Sequence, residues 1–132
     1  PGEGRDSLIK EASILSSMPI SMLKLHQLQI IKGTRMAEEY AVRPSDFHLF
    51  TADEYIDLVI DFMERVRPDM VMERFVSQSP SSLLAVKGWG LKNYEFVDKV
   101  RRRMEERHAY QGRLYQTMDN GECCEMHCFV EK

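Results

Sequence analysis

The stretch Lys24-Leu25-His26-Gln27-Leu28-Gln29-Ile30-Ile31-Lys32-Gly33-Thr34 constrains this chain most. It alternates in character, meets a glycine, and then turns helical. Side chains on a strand point to opposite faces in turn. Lys24, His26 and Leu28 therefore share one face, and Leu23, Leu25 and Gln27 share the other. The leucines suit packing beneath helices, whereas Lys24 and His26 suit the interior of a barrel or the ligand side of an open sheet. An edge strand with its polar side in water satisfies the same pattern. Gly33 supplies the turn, and Thr34 caps a short helix through Tyr40.

Other segments repeat this alternation of helix and strand. Asp6 or Ser7 starts a helix that carries Leu8, Ala12 and Leu15 at helical spacing and ends before Pro19. The strand then covers 22–31, and 44–50 is a loop. Thr51-Ala52-Asp53-Glu54 has the form of a capping box. The helix it opens places Tyr55, Leu58, Val59, Phe62 and Val66 on one face, widened by Ile56 and Ile60. Arg67-Pro68-Asp69 stops it. A second strand over 70–77 puts Val71 and Phe75 on one face and Met72, Arg74 and Val76 on the other. A short helix over 81–86 follows, broken by Lys87-Gly88-Trp89-Gly90, with Trp89 as a packing anchor. The last helix runs over 93–110 with Tyr94, Val97, Val100, Met104 and His108 in a stripe. Arg101–Glu105 and Arg102–Glu106 are candidate i,i+4 pairs on its wet side.

Strands separated by helices make parallel sheet. Two parallel strands make a poor sheet by themselves, because parallel sheets are normally larger and covered on both faces. Both outer edges would stay open to pairing. The expected fold class is therefore α/β: a fragment of a partial TIM-type barrel, about two parallel strands with flanking helices. The competing reading is a small α+β domain whose helices form most of the core.

Composition narrows the function. A net charge of −3 over 132 residues gives no bulk electrostatic case for nucleic acid or a membrane surface. No apolar run approaches a membrane span, and no signal peptide is recognisable. Three cysteines, at 123, 124 and 128, fit a reducing cytoplasm better than a disulfide scaffold. With His127 they form a small cluster that could take a metal, but the spacing fits no familiar zinc site. A tail with reactive thiols is the plainer account.

The segment from Leu23 to Tyr40 resembles the sixth strand and following helix of radical S-adenosylmethionine (radical SAM) enzymes. It is most like an uncharacterised bacterial iron–sulfur oxidoreductase family and is distantly similar to the radical SAM half of the Elongator catalytic subunit. Three further pieces resemble the family in order. Pro1-Gly2-Glu3 is like the end of its Gly-Leu-Pro-Gly-Glu segment. Thr51 through Pro68 is like the helix before the seventh strand. Ala109-Tyr110-Gln111-Gly112-Arg113 is like a motif near the family's C-terminus.

The resemblance implies that 1–116 is the C-terminal portion of a radical SAM barrel and 117–132 a polar, cysteine-containing tail. In the full-length family a Cys-x3-Cys-x2-Cys motif holds a [4Fe–4S] cluster. The free iron binds S-adenosylmethionine, whose reductive cleavage gives a 5′-deoxyadenosyl radical. This sequence lacks that motif, so no cofactor is expected in this chain, no catalytic residue or metal ligand is assigned, and the chain alone is expected to be inactive. The implied role is part of the cofactor and substrate wall, with Lys24, His26, Leu28 and Ile30 toward cofactor and Arg74 and Gln78 toward substrate. Phe75-Val76-Ser77-Gln78-Ser79-Pro80 departs from the family's Gly-Asp-x-Pro-like turn. The expected partner is the N-terminal part of the barrel, with a homodimer through an exposed sheet edge as a second possibility. The alternative from a different class is a free-standing α/β ligand-binding or protein-interaction module.

Overall fold

Helix α1 (Arg5–Ser17) leads into strand β1 (Met22–Lys24), and helices α2 (Arg35–Val42) and α3 (Ala52–Met63) lead into strand β2 (Val71–Arg74). Helix α4 (Asn93–Glu106) completes the order. The computed structural model describes residues 4–116, so Pro1-Gly2-Glu3 and the tail with its cysteines lie outside the described residues. The two strands pair in parallel, as the alternation of elements required.

Helix α3 is the spine of the fold. Thr51 closes its capping box: its hydroxyl accepts from the Glu54 N–H at 3.3 Å, and the Glu54 carboxylate accepts from the Thr51 N–H at 2.8 Å. The Thr51 N–H and, second, the Thr51 hydroxyl, which donates to the same carboxylate at 2.9 Å, hold the Glu54 carboxyl below its ordinary range. The arc from Tyr55 to Met63 is buried almost all round because α3 is packed by α1 on one side and α4 on the other. Around Phe96, which is fully buried, Tyr55, Phe75 and Trp89 form an aromatic cluster. A second cluster of Ala12, Phe62, Val66 and Met70 packs beneath Leu23 and Leu25 of the β1 segment.

Polar contacts fix the helix ends. The Arg67 guanidinium donates to the carbonyls of Ser16 and Met18, each at 3.1 Å, and to that of Ile20. It thereby turns the chain from α1 into β1. Glu64, almost wholly buried, accepts from Arg113 at 2.6 Å and lies 3.7 Å from Arg107. Asp57 on α3 accepts from Arg103 on α4 at 2.9 Å. The expected wet-face pairs of α4 are replaced: Arg101 reaches Asp98 and Arg103 reaches Glu106. The buried stripe of α4 centres on Phe96 and Val100, leaving Tyr94 and His108 exposed.

The strands are shorter than alternation suggests, for a definite reason. Register runs Met22↔Val71, Leu23↔Met72, then Lys24↔Arg74, so Glu73 bulges out of the ladder. The last backbone rung is Leu25 N–H to the Arg74 carbonyl at 2.8 Å. Beyond it, the Gln27 amide takes the place of a strand. Its Nε2 donates to the Ser77 carbonyl at 2.9 Å, and its Oε1 accepts from the Ser77 N–H at 2.7 Å. The helix expected over 81–86 is a single 3₁₀ turn, Ser81–Leu83, because Leu84 is extended and bridges Ile31 antiparallel.

Among the described residues the sheet is covered on one face only. Leu23 and Leu25 pack on the helices, while Met22 and Val71, partners across the ladder, are 51% and 52% exposed. Apolar neighbours exposed side by side in a parallel sheet are unusual, because both faces of such sheets are normally buried.

Candidate functional site

Two adjoining clefts open beyond the carboxyl ends of β1 and β2, where ligands gather in parallel α/β architectures. The first has a volume of about 320 Å³ and an apolar wall that includes Leu28, Ile30, Phe50 and Trp89. The second, about 450 Å³, is the more polar of the two: beside Leu84, Trp89 and Leu91 it includes Gln27, Gln29, Ser77, Ser79, Lys87 and Lys92. Gln27, Gln29 and the Lys87-Gly88-Trp89 loop belong to both, so the clefts form one amphiphilic trough.

The trough is held from behind. The Trp89 indole stacks on Phe96 with an interplanar angle of 13°, and its Nε1–H donates to the Phe50 carbonyl at 3.0 Å. Tyr55, against the same indole, donates its hydroxyl to the Phe75 carbonyl at 3.0 Å. Burial pushes its phenol well above the ordinary tyrosine range, so it stays protonated and acts as a donor. On the strand side Gln29 Oε1 accepts from the Ser79 hydroxyl at 2.8 Å. Gln27 and Gln29 are thus fixed floor groups rather than loose side chains.

Replacing Gln27 by leucine leaves the Ser77 N–H without its partner and the Ser77 carbonyl with only the longer bond from Gln29 Nε2, at 3.4 Å. It is expected to cost about 1–3 kcal/mol. A urea midpoint displaced by that amount, with faster hydrogen exchange at Ser77, is the result to look for.

The residues singled out from sequence are divided among several places. Leu28 and Ile30 line the apolar cleft, Leu28 being 45% exposed and Ile30 only 1%. Gln78 lines the polar cleft. Lys24 stands apart on the bulged ladder, its ammonium 3.0 Å from Glu73. His26 borders a separate groove of about 120 Å³ with Leu8, Leu25 and Tyr55. Arg74 is exposed opposite Lys24 in register. The strand-face grouping of Lys24 with His26, Leu28 and Ile30 therefore dissolves after Lys24, where the regular strand ends. Sequence reasoning assigned no ligand role to Lys87, Trp89 or Lys92; the one signal was the Lys-Gly-Trp-Gly run, whose glycines mark an open loop.

None of the three cysteines lies among the described residues, and no group of three or more His, Cys, Asp or Glu there is placed to hold a metal ion. The described residues do not fit an iron–sulfur cluster. No helix among them is long and apolar enough to cross a membrane.

Comparison with known proteins agrees with this architecture. The chain is 28% identical over 119 residues to the uncharacterised protein YtqA of Bacillus subtilis, which covers 90% of this chain and 36% of that protein. It is 29% identical over 113 residues to the uncharacterised protein MJ0486 of Methanocaldococcus jannaschii, covering 85% and 34%. It thus spans about a third of the length of these relatives. Its fold is similar to that of the archaeal Elp3 of Methanocaldococcus infernus with its N-terminus deleted, at a TM-score of 0.66 and 18% identity, over 84% of this chain and 26% of that one. Residues 20–106 match the radical SAM C-terminal domain, and the chain belongs to that family.

Proposed function

We propose that this chain forms the carboxyl-terminal wall of a cytoplasmic radical SAM oxidoreductase barrel, with 1–116 as that wall and 117–132 as an appended tail. The observation that carries this reading is the two-stranded parallel sheet with Met22 and Val71 half exposed on its uncovered face. Such a face and two open edges ask for further strands of the same barrel. The N-terminal part of the barrel is the partner that supplies them, in place of a second copy of this chain.

In this reading the [4Fe–4S] cluster belongs to the N-terminal part, since the described residues hold no cysteine. Bound there, the cluster and S-adenosylmethionine supply hydrogen-abstraction chemistry. This chain then shapes and shields the site and is not catalytic by itself. Leu28 and Ile30 offer apolar contact suited to the adenosyl group, and Gln78 stands on the polar side. Lys24 and Arg74, in register on the sheet, turn toward the rest of the barrel, where Arg74 suits an anionic part of the substrate, while His26, in its own groove, stands outside the trough.

The test uses the polypeptide extended upstream of Pro1, loaded with iron and sulfide without oxygen. It should convert S-adenosylmethionine to 5′-deoxyadenosine on reduction and lose that activity when 20–106 is removed. Equal cleavage after that removal, with the cluster intact, rules out the wall.

A further inference from the structure

We propose that the polar cleft between 77–81 and 87–92 binds the phosphoryl group of a phosphate-ester ligand. Three observations on this chain converge on it. The first is charge. The chain as a whole carries more carboxylates than cations, yet among the described residues no Asp or Glu lines this cleft, and two of its lining residues are Lys87 and Lys92. Neither lysine ammonium forms an ion pair among the described residues; the Lys92 Nζ lies 5.9 Å from the centroid of the Tyr94 ring, and the nearby Glu95 carboxylate is engaged by the Lys92 backbone N–H at 2.8 Å.

The second is backbone. Among the described residues, the N–H groups of 86–91 donate to no protein acceptor, and residues 87–91 line the cleft. Gly90, with φ +72°, supplies the left-handed turn in this run. Successive unpaired N–H groups beside lysine ammonium groups suit a compact, multiply charged oxyanion. Lysine acts on phosphate as a point charge, whereas planar carboxylates are better matched by arginine.

The third is rigidity. Ser77 is locked by both bonds to the Gln27 amide, and Ser79 donates to Gln29. Trp89 is fixed by its stack on Phe96 and its bond to Phe50. The cleft therefore needs little ordering when a ligand enters. The apolar cleft across Trp89 accommodates the organic part of the same ester. This inference does not depend on radical chemistry, because its readout is binding to the chain itself.

Trp89 is the single tryptophan, so its emission reports on the cleft directly. The 132-residue chain is titrated with inorganic phosphate and with glycerol 3-phosphate at constant ionic strength, alongside acetate and chloride controls. Backbone amide shifts are followed in parallel. Both phosphates should give saturable changes centred on 77–92. The Lys87→Ala/Lys92→Ala pair should weaken binding by about tenfold or more, with an unchanged thermal midpoint. Saturation by acetate or chloride alike, equal affinity in the double variant, binding of inorganic phosphate but not the ester, or no saturable change would each overturn the proposal.

Discussion

Replacing Phe96 by alanine is expected to destabilise the chain by about 3–5 kcal/mol, the usual range for removing a fully buried aromatic. Phe96 is the only ring in contact with the other three of its cluster: centroids lie 5.6 Å from Tyr55, 6.4 Å from Phe75 and 6.0 Å from Trp89. Its loss removes the surface on which Trp89 stacks and opens a cavity between α3 and α4. Domains of this size hold about 5–15 kcal/mol in total, so the variant should be unfolded at modest urea concentration. The urea midpoint measures the stability loss, and a red-shifted Trp89 emission before the main transition reports the loosened trough. A loss below about 1 kcal/mol would mean that α3 and the strands hold the core without α4.

Gly112→Val should be nearly as damaging, by a different route. Gly112 has φ +79°, and a Cβ there would lie 2.5 Å from Pro68 Cγ, a ring atom with little freedom to move. The left-handed conformation costs a substituted residue about 1–2 kcal/mol, and the overlap adds about 1–3 kcal/mol. The position is a latch. Gly112 N–H donates to the Met63 carbonyl at 3.0 Å and Leu114 N–H to that of Glu64 at 2.6 Å, while Gln111 donates to the carbonyls of Arg67 and Met70. Arg113 neutralises buried Glu64. Opening the latch leaves that carboxylate with Arg107 alone, at 3.7 Å. Native-state hydrogen exchange should show lost protection at Gly112 and Leu114 together with a lower global stability. Retained protection at both would show that the backbone shifts to accommodate the side chain.

The latch explains one sequence motif without chemistry. Gln111, Gly112 and Arg113 each make a contact that holds 108–116 against α3 and the turn before β2. The family resemblance located this motif, but only the fold shows that the glycine is there for Pro68. The bond from Arg113 to Glu64 spans 49 positions and leaves no local trace in the sequence.

Elements governed by local rules were legible. The Thr51 box, the Thr34 cap and the apolar arc of α3 are short-range features whose causes lie within a turn or two. The parallel pairing followed from the order of elements. Strand ends were not legible, since 25–30 keeps alternating after the ladder stops. A side-chain amide that imitates a rung, as Gln27 does, preserves the pattern while ending the strand. On α4, Tyr94 and Phe96 both fit helical spacing, and only the position of Trp89 decides that Phe96 is inside. The more polar cleft is assembled from three segments distant in sequence, 27–29, 77–81 and 84–92, so Lys87 and Lys92 carried no signal that they would meet Ser77 and Gln29 across one cavity.

Reading the coding sequence upstream of the codon for Pro1 tests most directly that this chain is one wall of a larger radical SAM barrel. The account predicts an open frame encoding Cys-x3-Cys-x2-Cys ahead of further barrel strands. A stop codon just upstream, with no such motif in frame, would contradict it and leave the half-exposed sheet face to some other partner.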